Sequence, residues 1–240
     1  MSISIVIPVY NEEKRIIPTL KSIINYFSQK EISYEVVIAD DGSTDNTVKL
    51  IEDIKNDYPE ISIFKMGRNS GKGRAVREGM LKGKGDYILF MDADSSTAIE
   101  EFEKFLPSLK QHKDVIIGTR KAKGANIIEY QPFFREFMGK GFTWLSKAVT
   151  GAKVSDFTCG FKCFSRKAAK AVFSKAIIDD WSFDAEILFL AEKFGYKITE
   201  IPVRWKNDRA SKVNMLRDTI NSLKGLLRLQ IYNIKGVYEK

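Results

Sequence analysis

The amino-acid sequence predicts an α/β protein with a mostly parallel central sheet that is covered by helices on both faces. Three observations support this fold class. Short strands alternate with helices through the first half of the chain. Those strands are apolar along their whole length, which is typical of strands buried on both faces of a parallel sheet. The length of 240 residues fits a single domain.

The elements of the first half follow from the hydrophobic pattern. Five apolar runs are predicted as strands, at residues 3–9, 34–39, 61–66, 86–91 and 115–118. Apolar residues at helical spacing predict four helices. Three lie at residues 12–27, 71–83 and 99–110, and the fourth runs from a cap at Ser43 or Thr44 to about residue 56. This alternation predicts β-α-β crossovers and therefore parallel strands.

The second half of the chain is less regular. Residues 121–132 are polar and contain Gly and Pro, which is typical of a loop. A helix over 133–150, the compact stretch "SDFTCGFKCFSR", a helix over about 182–194 and a strand pair near 197–205 follow. In the tail, apolar and basic residues both recur at helical spacing: Leu216, Ile220, Leu223, Leu227, Ile231 and Ile234, with Arg217, Lys224, Arg228 and Lys235.

Composition excludes several functional classes. The net charge of +8 favours an anionic partner such as a phosphorylated substrate or anionic lipid, and is equally compatible with a solvated basic surface. Because His112 is the only histidine, a histidine-based zinc site or a Ser-His-Asp triad is not expected. Cys159 and Cys163 fit no redox or zinc spacing and are expected to be reduced. No transmembrane helix, signal peptide or nucleic-acid-binding signature is expected.

Polar residues follow four of the predicted strands. The strands end in "PVYNEE", "DDGSTDNT", "GRNSGKGRA" and "DADSST". Ligands of open parallel sheets bind outside the carboxyl ends of the strands, so these segments predict one binding site. The spacing of Gly67, Gly71 and Lys72 does not match a P-loop, and no Rossmann glycine fingerprint follows the first strand.

The chemistry of these segments favours a nucleotide diphosphate. Asp40 can accept hydrogen bonds from a uracil imide or from ribose hydroxyls. Gly71 allows close approach of the backbone, and Lys72 adds positive charge. Asp92 and Asp94 repel each other, which favours a cation beside them, and their hard oxygen ligands select Mg²⁺ or Mn²⁺. A solvated turn is the alternative interpretation of this Asp-x-Asp pair.

These motifs resemble a known family. "IPVYNEE", "DDGSTDNT", "GKGRA" and "MDAD" resemble the nucleotide-binding half of inverting glycosyltransferase family 2, which has the GT-A fold. "DFTCGFKCFSR", "WSFDAEILFLAEKFGYKITEIPVRW" and the pair Ser211-Lys212 resemble its polyprenyl-phosphate glycosyltransferases. The dolichyl-phosphate β-glucosyltransferase branch is the most similar, followed by the dolichol-phosphate mannose synthases.

The resemblance implies roles for individual residues. Donor binding is expected at Pro8, Val9, Tyr10, Glu12, Asp40, Asp41, Gly71, Lys72 and Arg120. Catalytic roles are expected at Asp92, Asp94, Asp156, Arg135 and Lys162, with Asp92 and Asp94 holding Mg²⁺ or Mn²⁺, and Arg166 is a further basic position near phosphate. It also implies a GT-A catalytic domain over 1–212, divided into a nucleotide half (1–119) and an acceptor half (120–212), and a helical tail over 213–240.

The implied reaction transfers a sugar with inversion from a nucleotide-sugar donor to polyprenyl or dolichyl monophosphate. Ser96 resembles the glucosyl branch, whereas Thr158 replaces its usual Gln, so glucose and UDP are favoured while mannose, GlcNAc and GDP stay open. A phosphate acceptor scarcely needs a general base, because its second proton is lost near pH ~6. Asp156 is therefore either a base or a residue that orients Lys162 or the acceptor-site backbone.

The acceptor lipid implies peripheral contact with an anionic membrane surface, at its cytoplasmic face. The tail helix either lies in the membrane interface or packs on the domain. Two alternative functions remain at this point: a family 2 enzyme that acts on a soluble saccharide, and a non-enzymatic nucleotide-sugar binder.

Overall fold

The fold is built around a seven-stranded sheet. The computed structural model describes residues 1–129, 133–206 and 215–239. The strands are β1 (Ser2–Val9), β2 (Ser33–Asp40), β3 (Ile61–Lys65), β4 (Tyr87–Met91), β5 (Val115–Thr119), β6 (Asn126–Glu129), β7 (Phe161–Ser165), β8 (Ile198–Pro202) and β9 (Arg204–Lys206). The strand order in the main sheet is β3-β2-β1-β4-β7-β5-β8. Among the described strands of this sheet, only β7 runs antiparallel to its neighbours, β4 and β5, so the predicted mostly parallel sheet is confirmed.

Helices cover both faces of this sheet. They are α1 (Ile16–Ser28), α2 (Thr47–Lys55), α3 (Lys72–Lys82), α4 (Leu106–Lys110), α5 (Phe133–Thr150), α6 (Arg166–Phe173), α7 (Phe183–Lys193) and α8 (Met215–Ile234), with a 3₁₀ helix at Ile99–Lys104. The strands alternate between two buried cores, as their two-residue period requires. Val6 and Phe90 belong to the core that includes α3 and α7, whereas Ile5 and Leu89 belong to the core that includes α1.

The topology brings the carboxyl ends of four strands and the start of a fifth to one edge of the sheet. β1, β2, β4 and β5 are parallel, so their carboxyl ends lie on the same side. The antiparallel β7 begins on that side, where Phe161 pairs with Met91. The segments after β4 and β5 and the turn before β7 therefore meet at this edge, as expected for a ligand site of an open sheet.

The second half of the chain differs from the sequence prediction in three ways. The polar connection over 121–132 contains strand β6, and the stretch around Cys163 contains strand β7. β8 and β9 do form near residues 197–205, but they do not pair with each other. β8 pairs with β5 in the main sheet, and β9 pairs with β6 in a separate two-stranded sheet.

The described side chains of the C-terminal helix α8 pack on the domain along one side of the helix. Leu226 and Leu229 are buried in the same core as α7, and so is Tyr238 beyond the helix end. Four apolar side chains are exposed on another side: Leu223, Leu227, Ile231 and Ile234. In the part of the chain that the structure describes, no helix is both long and apolar enough to cross a bilayer. The division of the chain at residue 212 stays a prediction.

Candidate active site

The centre of the site is the ion pair between Lys72 and Asp92. Asp92 follows β4, and its backbone N–H donates a hydrogen bond to the Gly160 carbonyl at 3.2 Å. The Lys72 ammonium, on the first turn of α3, lies 2.7 Å from Asp92 Oδ1. The carboxylate lies directly over Gly160, where an added Cβ would overlap it. Gly160 therefore leaves the space that the Asp92 side chain occupies.

Asp94 adds a second carboxylate to the same loop. One of its oxygens accepts a hydrogen bond from the Ser96 backbone N–H at 2.9 Å. Burial, and then the negative charge of Asp92, raise the pKa of Asp94 above its ordinary value, even though Lys72 lies nearby. The loop thus carries more negative charge than the lysine neutralises, which suits an additional cation.

The oxygen ligands that this loop could offer to a metal are the carboxylates of Asp92 and Asp94. Among the described residues, no group of three or more His, Cys, Asp or Glu side chains is arranged to hold a metal ion. Mg²⁺ commonly binds in this way, through one or two carboxylates with substrate phosphates and water completing its shell. Asp92 and Asp94 fit such a shared site, and Lys72 forms an ion pair with Asp92.

Lys72 is held by charge and by aromatic rings. Burial alone would lower the pKa of its ammonium, but the charges of Asp92 and then Asp184 outweigh burial and raise it. The Lys72 Nζ atom lies 4.8 Å from the ring centre of Trp181 and 5.6 Å from that of Phe90. The lysine is therefore protonated at neutral pH at the carboxyl edge of the sheet.

The glycine-rich loop before α3 is clamped by Asp41. The two carboxylate oxygens of Asp41 accept hydrogen bonds from the Ser70 N–H at 2.7 Å and the Gly71 N–H at 2.9 Å. Gly71 has a φ of 107°, and a Cβ there would overlap the Asp179 carbonyl. Both Asp41 oxygens thus hold the backbone of the loop. This is a structural role, whereas the sequence predicted that Asp41 binds the donor.

The other predicted donor residues lie at the ends of β1 and β2. Val9 pairs in register with Asp40, whose Oδ1 accepts the Ser43 N–H at 3.1 Å. Pro8 and Val9 are buried, whereas Tyr10 is exposed. The Glu12 carboxylate pairs with Arg15, with Nε at 2.5 Å and Nη2 at 2.6 Å. The structure therefore brings these residues to the site edge, with Glu12 engaged by an arginine of its own segment.

Asp156 pairs with Arg120, and this pair replaces the expected contact with Lys162. Arg120 Nε lies 2.7 Å from Asp156 Oδ2, and Nη2 lies 2.8 Å from Oδ1. The backbone N–H groups of Arg120 and Thr158 also donate to the carboxylate, at 3.0 and 3.2 Å. Burial would raise the pKa of Asp156, but the charge and hydrogen bonds of Arg120 hold it well below its usual range. A carboxylate so stabilised is a poor proton acceptor, so Asp156 is not suited to act as a general base.

Lys162 is buried and pairs with Asp184 on α7. Its Nζ lies 2.5 Å from Asp184 Oδ1 and donates to the Cys159 carbonyl at 2.6 Å. Burial raises the pKa of Asp184 even beside this lysine. The prediction that Lys162 contacts a substrate phosphate directly is therefore not supported, because this ammonium supports the turn that carries Gly160.

Two further predicted basic residues lie elsewhere. Arg166 follows β7, whose last residue, Ser165, pairs with Tyr87 at the start of β4. This position is at the opposite edge of the sheet, where Arg166 Nε donates to the Gly85 carbonyl at 2.9 Å, so its assignment to the phosphate site was wrong. Arg135 is on α5, and its side chain lies outside the described residues, as do Ser211 and Lys212.

Sequence reasoning missed three residues of the site: Gly160, Trp181 and Asp184. Gly160 and Asp184 stand inside motifs that were quoted for the resemblance, "CGFK" and "WSFD". The roles of these residues depend on contacts between distant parts of the chain. The available sequence signals were the position of Gly160 and of the Asp184 carboxylate within otherwise apolar segments.

Comparisons with known proteins identify the family. Residues 4–173 match the family described as Glycosyl transferase family 2. The dolichyl-phosphate beta-glucosyltransferase of Saccharomyces cerevisiae is 34% identical, with 98% of this chain and 76% of the relative covered. The protein of the same name from Homo sapiens is 31% identical, with 98% and 77% covered.

Solved structures show the fold. Mannosyl-3-phosphoglycerate synthase from Rubrobacter xylanophilus superposes with a TM-score of 0.70 at 14% identity, covering 98% of this chain and 75% of that one. Glucosyl-3-phosphoglycerate synthase from Mycobacterium tuberculosis, in complex with Mn²⁺, UDP and glucosyl-3-phosphoglycerate, gives 0.68 at 17% identity, covering 95% and 79%. The fold is thus that of the GT-A glycosyltransferases. On the match over most of its length, this chain belongs to glycosyltransferase family 2.

Proposed function

We propose that this protein transfers glucose from UDP-glucose to dolichyl or a related polyprenyl monophosphate, with inversion at the anomeric carbon. The names of the relatives with 30–34% identity support this acceptor and sugar. The observation that carries the proposal is the carboxylate pair of Asp92 and Asp94 at the end of β4, with Lys72 beside it. This arrangement suits a leaving group that gains negative charge.

The donor is proposed to lie across the ends of β1, β2 and β4. Asp40 would accept hydrogen bonds from the nucleoside, and Lys72 would face the diphosphate. A structural neighbour holds UDP, which is consistent with UDP as the nucleotide here. Because Lys72 stays charged, it can exchange one anionic partner for another, from Asp92 to a phosphate oxygen.

Asp92 and Asp94 are proposed to hold Mg²⁺ or Mn²⁺ together with the donor diphosphate. When bound, this ion would supply Lewis-acid stabilisation of the negative charge on the departing diphosphate. Burial and the charge of Asp92 raise the pKa of Asp94, and a bound cation would favour its charged form.

The acceptor phosphate is proposed to bind between the carboxyl end of β5 and the turn before β7. Arg120, which the sequence predicted to bind the donor, is proposed here to face the acceptor instead. It lies at this edge with 17% of its side chain exposed, and Asp156 fixes the guanidinium. The Arg120 guanidinium carbon also lies 5.4 Å from the Trp205 ring centre, which limits its rotamers. The acceptor oxygen is already ionised at neutral pH, so the residues need only to align two anionic groups.

Contact with an anionic membrane surface, at its cytoplasmic face, is part of the proposal, because dolichyl phosphate resides in a bilayer. The exposed apolar residues of α8, with 64% exposure at Leu227 and 81% at Ile234, support it. Lys224 and Lys235 on the same segment are exposed and add positive charge. Apolar insertion combined with cationic residues is the usual basis of peripheral membrane binding.

A transfer assay tests the proposal. Purified protein is incubated in detergent with Mn²⁺, dolichyl phosphate and radiolabelled UDP-glucose, UDP-GlcNAc or GDP-mannose, and lipid-linked sugar is counted. Glucose should be transferred, and Asp94→Asn should abolish turnover without lowering the melting temperature. Transfer only to soluble saccharides would favour the soluble-acceptor alternative. Donor binding without any transfer would favour a non-enzymatic binder.

A further inference from the structure

We infer that the C-terminal helix α8 positions the donor-site lysine through residues 177–182, which we term the bridge segment. The link to donor binding rests on the proposed function, whereas the contacts between α8, the bridge segment and Lys72 do not depend on it. The bridge segment lies between α6 and α7. It contacts α8 and the chain beyond it on one side, and the glycine-rich loop that carries Lys72 on the other.

The contact with α8 is close and charged. Gly225 lies against Ser182, and a Cβ at position 225 would overlap the Ser182 hydroxyl. One turn further on, the Arg228 guanidinium forms an ion pair with Asp180 Oδ2. The other Asp180 oxygen accepts the Ser182 backbone N–H at 2.9 Å. Asp180 therefore connects the helix to the backbone of the bridge segment.

The chain beyond α8 holds the start of the same segment. The Tyr238 hydroxyl donates to Glu186 Oε1 at 2.7 Å, and both side chains are buried. Glu186 also accepts the backbone N–H groups of Ile177, at 3.1 Å, and Ile178, at 2.9 Å. A buried carboxylate thus joins the C-terminal part of the chain to the backbone of the bridge segment.

On its other side, the bridge segment holds the glycine-rich loop. The Asp179 carbonyl accepts the Gly73 N–H at 2.8 Å. Neither Gly71 nor Gly73 has space for a Cβ against this segment. Trp181 places its ring 4.8 Å from the Lys72 ammonium. A displacement of the bridge segment would therefore move Lys72 relative to Asp92.

These contacts make Arg228 and Gly225 positioning residues for the donor site. Their contacts given above are with Asp180 and Ser182, and they act on Lys72 through Trp181. Because α8 also carries the exposed apolar residues, contact of α8 with a membrane and nucleotide affinity would be linked, and the effect of each on the other would be reciprocal.

Two measurements on the full-length protein test the inference. The first is the rate of acetylation of Lys72 without ligands, measured by mass spectrometry. Arg228→Ala should raise this rate roughly three- to tenfold, as expected when a contact network is broken. Lys224→Ala, which removes the same charge from an exposed position of α8, should not change it, and Arg228→Lys should restore much of the protection. Equal Lys72 labelling in Arg228→Ala and the unmodified protein would overturn the inference.

The second measurement is calorimetric titration with UDP in the presence of Mn²⁺. Arg228→Ala should weaken UDP binding roughly threefold or more while the melting temperature changes little, because exposed ion pairs contribute little to stability. The donor KM should rise with little change in the acceptor KM. Failure of the unmodified protein to bind UDP would contradict the proposed function, whereas the labelling result would still decide the inference.

Discussion

At the scale of single residues, Gly160 has the sharpest consequence for the site. A methyl group at this position would overlap the Asp92 carboxylate and displace it from Lys72. We expect Gly160→Ala to lower kcat by at least about tenfold and to cost roughly 1–3 kcal/mol of stability from overpacking. Transfer kinetics and denaturant unfolding measure the two effects.

Gly139→Ala provides the matched control for this substitution. Gly139 lies in α5, and an added Cβ would meet no heavy atom within 4 Å. This substitution should leave kcat unchanged and should leave stability equal or slightly higher, because alanine favours helix. Comparable losses of activity in both variants would contradict the role assigned to Gly160.

The pH dependence of stability follows from Asp156. Its folded-state pKa is depressed by Arg120, so its contribution to stability is present above the ordinary carboxyl pKa of about 4 and is lost as the pH falls further. Asp156→Asn should therefore lower the free energy of unfolding at pH 7 by about 3 kcal/mol. The difference between the two proteins should narrow below pH ~4. Urea unfolding across this range measures it, and a constant difference would contradict the prediction.

The sequence predicted which side chains lie at this edge of the sheet better than it predicted their partners. Asp92 and Asp94 could be predicted because an apolar strand ends at a known ligand-binding edge. The pairing of Asp156 with Arg120, and the engagement of Asp41 by Ser70 and Gly71, depend on distant segments and carry no local signal. Contacts of this kind decide which carboxylates are available to a ligand.

At the scale of elements, the ion pair of Lys162 and Asp184 joins β7 to α7. Lys162→Met would leave Asp184 buried without its partner, and we expect a loss of about 3–5 kcal/mol of stability. The double variant Lys162→Met/Asp184→Leu should recover most of this loss, because no unpaired charge remains. Denaturant unfolding measures both variants.

The control for this prediction is Lys167→Met, an exposed position on α6. It should change the free energy of unfolding by less than about 0.5 kcal/mol. A double variant as unstable as Lys162→Met alone would show that packing, and not the unpaired charge, determines the loss.

The same ion pair explains why β7 could not be predicted. Its sequence, Phe-Lys-Cys-Phe-Ser, places a lysine in an apolar run, and the lysine is tolerated only because Asp184 lies opposite. The pairing of β8 and β9 was wrong for a related reason. Two adjacent strands suggest a hairpin, whereas β9 is held by Glu101 and the Ser96 carbonyl beside β6. The first half of the chain was predictable because its strands are buried by sequential crossovers.

At the scale of the whole molecule, the exposed apolar residues of α8 predict membrane binding. The double variant Leu227→Ser/Ile234→Ser removes the two most exposed of them. Its affinity for anionic phospholipid vesicles should fall by at least about tenfold, since each inserted aliphatic side chain contributes roughly 1.5–3 kcal/mol. Cosedimentation with vesicles measures the change.

Ile128→Ser is the control, because Ile128 is 62% exposed on β6, which pairs with β9. Vesicle binding should be unaffected by this substitution. Equal binding by the α8 double variant and the unmodified protein would show that α8 is not the membrane contact.

The alkylation rates of the two cysteines report where the protein opens. Cys159 and Cys163 are free and buried, and burial raises the pKa of the Cys159 thiol to about 12 and that of Cys163 beyond its ordinary range. Alkylation at neutral pH therefore requires the protein to open first. Since Cys159 adjoins the turn beneath Asp92 while Cys163 is inside β7, the ratio of their alkylation rates distinguishes loosening at the site from unfolding of the sheet.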